Sequence, residues 1–349
     1  MRRLLPIALA AALACGPGEQ PPPPAATLRA PADTVTLTDT EIADAVWLGG
    51  DRWAVLVPQA HAVRIVDFAT HRATPLGRPG RDYAEPFSLF RAGDTLYVGD
   101  WGMRRVTGWS ADGRLVSTLE APAPFRGALP RARDAAGAWY AELRPRPGAD
   151  GSGNRDSGVV VRWRAGTTSD TVATLVPYEI EPVTRDGARR YERLVLSGAD
   201  QWGVDPDGTL WIARVNQNAL ERCAPAGACR TGPRLRDKVL EVTLEDREYF
   251  LQSFPEEHRS LARDLPFAII KPPFTRAFGA GQVTWLELSR MLTDSTRSYR
   301  LLDTAGVAVQ EFRLPNAQRI LGATADQILA IDPLVPGPGH RVLRYAVPR

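Results

Sequence analysis

The sequence predicts an all-β chain folded as a six-bladed β-propeller of four-stranded blades. The first observation is an internal repeat: Val57–Phe68 aligns without gaps with Val98–Trp109, 41 residues further on. A period near 40 residues is the length of one propeller blade. The second is turn density, with 30 Gly and 30 Pro in 349 residues, which suits many short strands better than long helices. The third is size. Roughly 315 residues remain after a leader and a linker, too many for one ordinary core, and repeat units escape that limit because each sheet hides its faces against its neighbours.

The amino terminus reads as an export signal. Met1-Arg2-Arg3 is a basic start, and Leu4–Leu13 is an apolar stretch far short of the ~20 residues that span a bilayer. It ends at Ala12-Leu13-Ala14-Cys15, which resembles the lipobox of bacterial lipoproteins, although the family pattern prefers Leu where Ala12 stands. The resemblance implies that residues 1–14 are removed and that Cys15 becomes a diacylated amino terminus. Gly16 after the cysteine, by the family's sorting habit, implies the outer membrane. An ordinary cleaved signal with an incidental cysteine is the alternative. Residues 15–32 then form a lipidated cysteine and Pro-rich tether, GPGEQPPPPAATLRAPA after Cys15. Four consecutive prolines favour polyproline II and lack donors for helix or sheet. Such a tether reaches up to about 50 Å from the lipid, and two acyl chains anchor stably. The propeller domain is expected over 33–349.

Within that domain the second repeat unit shows the logic best. Pro86–Arg91 is a strand, Ala92-Gly93-Asp94 a turn, and Thr95–Val98 a second strand rich in β-formers. Arg105–Trp109 follows a loop, and Asp112-Gly113 turns the chain into Arg114–Leu119. Gly80, Pro86, Leu96-Tyr97-Val98, Asp100, Arg105-Val106 and Trp109 together resemble the NHL-type repeat, and the chain as a whole is similar to the six-bladed propeller lipoproteins of bacteria. That resemblance implies fold far more than function.

The remaining units follow in order. The third holds Trp139–Leu143 and Val159–Trp163, and the fourth Trp202–Ile212 and Val239–Val242. The fifth holds Gln282–Leu288 and Tyr299–Leu302. The sixth, Asp326–Tyr345, shows three strands, so Thr34–Leu37 is expected to supply its fourth and close the ring. Glu245–Leu265 breaks the pattern and reads as one or two short helices, with Ser253 and Glu256 at capping-box spacing. It is expected to pack Phe250, Phe254, Leu261 and Leu265 downwards, or to serve as a lid over one mouth of the channel.

The cysteines support export. With Cys15 lipidated, Cys223 and Cys229 bracket a small loop and are expected to form a disulfide in an oxidising compartment. A metal site there lacks further His or Cys. The formal net charge of +3 falls by two with the leader, which gives no electrostatic case for nucleic acid. Nearly all basic residues are Arg, with Lys only at 238 and 271. Coding composition explains this first, and a selected anion-binding surface second.

Catalytic signatures are missing: no phosphate-binding P-loop, no G-x-S-x-G elbow and no H-E-x-x-H. His61 lies in a loop opposite Gly102 of the next repeat, which suits a solvated histidine. Asp150–Asp156 alternates oxygen ligands as a calcium loop does, yet Arg155 stands where such a loop needs Gly, so no metal ligand is assigned and calcium stays only a candidate. Most tryptophans fall within strands. Trp101 falls in a loop beside Asp100, Arg104 and Arg105, and Asp100, Trp101 and Arg104 are the candidate binding residues. Arg105 recurs as Arg64 and Arg341, which suits a structural role.

These readings favour a non-catalytic binding or scaffold module at the cell envelope, with a protein, peptide or glycan as partner. The alternative is a propeller hydrolase or lyase with a metal in the central channel, its ligands gathered from several blades. A sensor subunit of an uptake system is a third.

Overall fold

The computed structural model describes residues 19–145, 157–185, 187–335 and 337–348. Six antiparallel sheets form a closed ring. Blade 1 comprises Asp44–Gly49, Arg52–Val57, Ala62–Asp67 and Arg72–Leu76; blade 2 comprises Pro86–Ala92, Thr95–Asp100, Arg105–Trp109 and Leu115–Glu120. Blade 3 is Ala132–Arg133, Trp139–Leu143, Val159–Trp163 and Asp170–Thr174; blade 4 is Gln201–Val204, Leu210–Arg214, Ala219–Cys223 and Cys229–Thr231. Blade 5 runs Phe274–Ala280, Val283–Leu288, Thr296–Leu302 and Ala308–Pro315. The first strands of successive blades touch one another all the way round, from blade 1 to blade 6 and back to blade 1, so they surround the axis.

Burial explains why the ring holds. Six cores are each built from two neighbouring sheets. Trp53 and Val55 of blade 1 pack with Leu329 and Val342 of blade 6. Leu56 and Val63 of blade 1 pack with Val98 and Trp109 of blade 2. Blades 2 and 3 meet through Tyr97 and Trp139, blades 3 and 4 through Tyr140 and Ile212. Trp211 and Leu286 join blades 4 and 5, and Trp285 and Ile320 join blades 5 and 6. A lone blade would leave both faces wet; the ring hides each against the next.

Blade 6 closes as expected. Arg319–Ala323, Gln327–Pro333 and His340–Ala346 take Asp33–Leu37 as their fourth strand, with Val35 opposite Val342. The amino- and carboxy-terminal parts of the domain thus share one sheet, which removes a free edge. Cys223 and Cys229 are bonded, and they face each other as cross-strand partners. The strand Cys229–Thr231 has only three residues, so the disulfide reinforces the shortest outer strand among the four-stranded blades.

Three expectations need correction. First, the tether does not stand free from residue 19 onwards. Gln20 donates its amide to the Ala308 carbonyl at 2.8 Å and accepts from the Ala308 N–H at 2.8 Å. Ala25–Thr27 then adds a parallel fifth strand to blade 5, with Ala26 opposite Phe312. Beyond the prolines the chain has free donors, and the outer edge of blade 5 offers them acceptors. Cys15 and the leader lie outside the described residues, as does the 150–156 loop. Second, Val239–Val242 is not a blade strand. It pairs only with the segment around Ile270, through a bridge at Glu241, and the outer half of blade 4 comes from residues 219–231. Third, the helices exist as α1 (Leu244–Gln252) and α2 (Arg259–Arg263), but the capping box belongs to Thr243 and Asp246. Ser253 instead sits at the end of α1, its hydroxyl donating to the Phe250 carbonyl at 2.6 Å. Leu251 and Ala262 are the buried apolar residues of these helices, Phe250 stacks edge-on with Phe254 and Phe267, and Leu261 stays half exposed.

Candidate functional site

Strand direction sorts every loop onto one of two faces. Loops joining the first to the second strand of a blade, and the third to the fourth, emerge on one face. There they are tight: 50–51, 93–94, 205–209 and 281–282 are typical, and 164–169 is the longest in the described chain. Loops joining the second to the third strand, and one blade to the next, emerge opposite. That face carries a hairpin (Ile180–Arg185 with Ala188–Arg193) after blade 3 and both helices after blade 4. It also carries the loop that holds Trp101 and Arg104.

The sequence-derived trio is split by burial. Asp100 is fully buried and accepts from the backbone N–H groups of Ala84 at 2.5 Å, Glu85 at 3.2 Å and Met103 at 2.8 Å. Its carboxylate is thus committed to shaping its own loop. Trp101 remains 45% exposed and lies against Phe87, with ring centroids 4.8 Å apart. Arg104 is exposed and adopts a left-handed φ of 53° that closes the loop. Trp101 and Arg104 share the insertion face; Asp100 supports them from below. His61 is likewise exposed, closing a single helical turn with φ 47°. The recurring arginines are structural: Arg105 donates to the Asp82 carbonyl at 2.9 Å and Arg64 pairs with Asp39 at 3.1 Å.

A different set of side chains occupies the axis. Asp44, at the start of the first strand of blade 1, accepts from Arg276 of blade 5 at 3.0 Å. Arg276 also donates to the carbonyls of Ile320 and Leu321 in blade 6, at 2.8 and 2.7 Å. Arg319 donates to the Ile42 carbonyl at 2.8 Å. Three blades are thereby laced together around the channel. Burial pushes the Asp44 carboxyl above its usual range, against the pull of Arg276, Arg131 and Arg319. Burial and then Arg276 push the Arg319 guanidinium down. A third of the Asp44 side chain stays accessible all the same. A group both enclosed and reachable lines a channel.

Two adjoining clefts open on the insertion face, sharing Arg193, Ala199 and Gln201. The smaller, about 170 Å³, lies between blades 3 and 4 and is lined by Arg131, Glu142, Arg144, Tyr178 and Trp202. There the Trp202 indole donates to Glu142 at 2.9 Å, and Arg131 approaches the same carboxylate at 3.5 Å. The larger, about 530 Å³, lies between the hairpin, α1 and blade 5. Its wall holds Lys271 paired with Asp246 at 2.7 Å and Arg297 paired with Glu287 at 2.7 Å. It also holds Arg193 and Arg290, whose hydrogen bonds go to backbone carbonyls and one hydroxyl instead of carboxylates. The turn face has a groove of about 570 Å³ between blades 1 and 2, lined by Arg52, Asp67, Arg72 and Asp112. It is the wedge left where two twisted sheets diverge.

Among the described residues, the clustered metal-ligand types are Glu221, Cys223 and Cys229, and the two sulfurs there are bonded to each other. No helix of the described residues is long and apolar enough to cross a membrane.

Sequence reasoning missed the arginine-lined clefts. Arg131 and Arg144 of the smaller cleft, Arg290 and Arg297 of the larger, and Arg193, which lines both, come from different segments of the chain and meet only through the ring. The available signal was the Arg excess itself, which composition alone explains as readily.

No protein-family model matches the chain, and no curated protein resembles it in sequence. Among solved structures it is similar to a putative exported protein from Bacteroides fragilis, at 9% identity and TM-score 0.51, covering 92% of this chain and 98% of that one. What the two share is the propeller. A member of the DUF4221 family from Bacteroides vulgatus matches at 9% identity and TM-score 0.49, over 92% of this chain and 96% of that one. A gluconolactonase from Xanthomonas campestris matches at 13% identity and TM-score 0.47, over 94% and 99%. At such identities the likeness is one of fold.

Proposed function

We propose that this chain is a binding module displayed at the cell envelope, held there by a lipid on Cys15, at the outer membrane, with its insertion face as the binding face. The observation that carries this reading is the one-sided placement of every long insertion, with both arginine-lined clefts beneath them. Rigid blades hold the inserted loops in place, and binding residues commonly sit on loops held by such scaffolds. The partner is a protein, peptide or glycan. The likeness to a putative exported protein agrees with an envelope location.

The enzyme reading, with a metal in the channel, is less well supported by the axis itself. Asp44 is held by Arg276 and flanked by Arg319 and Arg131, so a cation at that carboxylate would face three others. Two variants test the binding reading. Cys15→Ser is expected to move the protein from the membrane to the soluble fraction. Replacing 180–193 with a Gly-Ser pair is expected to abolish the adduct that the intact protein forms on cross-linking in cells. An undiminished adduct would remove the insertion face as the seat of binding.

A further inference from the structure

We infer that the larger cleft takes a carboxylate-bearing ligand with an apolar flank, its carboxylate received by Arg193 and Arg290. The inference rests on the insertion face being the binding face and names the chemistry that the face recognises.

Four cations line this cleft, and two of them are already neutralised, Lys271 by Asp246 and Arg297 by Glu287. The other two make hydrogen bonds but no ion pair among the described residues. Arg193 donates to the carbonyls of Ser197 and Gly198, at 3.3 and 3.2 Å, and lies over the Tyr178 ring at 4.4 Å. Arg290 donates to the Met291 carbonyl at 3.2 Å. The nearby Asp294 carboxylate instead accepts from the Met291 N–H at 2.8 Å. Burial, then Arg297, push the Arg290 guanidinium down. Fixed guanidinium groups lacking a carboxylate partner are pre-organised for one, and a bidentate Arg–carboxylate pair suits their planar geometry.

The rest of the wall supplies the apolar flank: Leu196, Tyr249, Phe250, Leu288 and Leu292. The cleft has the volume typical of small-ligand sites. Asp246 and Glu287 also line it, and they would repel a doubly charged phosphate more than a single carboxylate.

The source is either a free organic acid or a peptide carboxy terminus. Calorimetric titration of the purified full-length protein with 4-phenylbutyrate, N-acetyl-Leu-Phe, the amide of that dipeptide and inorganic phosphate separates these. Binding of phenylbutyrate alone assigns a free acid; binding of the dipeptide acid assigns a peptide terminus; either supports the inference. The dipeptide amide is expected to bind at least about tenfold more weakly than the acid, as is the acid to Arg290→Gln. The acid–amide difference on the unaltered protein stands even if that variant folds poorly. Equal binding of acid and amide, tighter binding of phosphate, or no binding by either acid at millimolar concentration would overturn the inference. In the last case an intact cellular adduct at the insertion face would leave the binding-module reading standing.

Discussion

The two faces of the ring are made from the same strands and obey different rules. On the turn face the loops of the described residues are two to six residues long, several with glycine at positive φ, such as Gly208 and Gly306. Gly306 shows why: a Cβ there would meet the Gly232 Cα at 3.1 Å and the Leu220 Cβ at 3.2 Å. The turn face also holds the disulfide. On the insertion face the chain spends 175–200 between blades 3 and 4, and 232–273 between blades 4 and 5. Six of the large apolar side chains left in solvent lie within 239–270: Val239, Leu244, Tyr249, Leu261, Ile269 and Ile270. Stability is thus concentrated in the blades and their tight turns, and the opposite rim is free to carry chemistry.

Substitutions can sharpen or break this contrast. The largest effect is expected from Lys271→Met, which removes the ion-pair partner of the buried Asp246 carboxylate in the first turn of α1. Breaking a buried pair costs about 3–5 kcal/mol. Here it should appear as faster hydrogen exchange in 244–252 with blade protection unchanged; uniform loss across the blades would break the contrast. The pair also sets a pH dependence. Burial alone would raise the Asp246 carboxyl, but hydrogen bonds from Lys271 and Thr243 outweigh it and hold the group below its ordinary 3.8. Its contribution is therefore complete above that value and is lost as pH falls through the lower folded one. Acid is expected to release α1 below about pH 4.

On the turn face, Cys223→Ser with Cys229→Ser should lower global stability by about 2 kcal/mol, the closure entropy of so short a loop. Denaturant unfolding with and without reductant reads this directly: the reductant effect is expected to vanish in the double variant. The smallest effect is expected from Tyr249→Ser. Tyr249 is 65% exposed, so stability should change by no more than about 0.5 kcal/mol, while apolar ligands in the adjoining cleft should weaken. A large fall in Tm would show that the insertion supports the ring after all.

The contrast also explains what was legible in the sequence. Strands of blade 2 are visible because local signals agree: β-formers in Thr95–Asp100, then Asp112-Gly113 at a turn. The closing strand Asp33–Leu37 is inferable because blade 6 lacks a fourth strand of its own. The hairpin at 180–193 is not, since its residues are mostly exposed and charged and show no apolar alternation. Val239–Val242 misleads because β-branched residues mark an extended segment without saying which sheet, if any, takes it. The clefts are hidden most deeply. Their cations come from separate segments, Arg193 from the inserted hairpin and Arg290 from a loop of blade 5, and only closure of the ring brings them to one cleft. Asp100, conspicuous beside Trp101, is spent on backbone N–H groups, a role that residue type alone does not reveal.

The most direct test places a photo-activated cross-linking residue at Tyr249 on the insertion face, or at Thr304 on the turn face, in the full-length chain in living cells. A discrete adduct from position 249, with none from 304, is the predicted result. Adducts from 304 alone, or equally from both positions, would contradict a single working face.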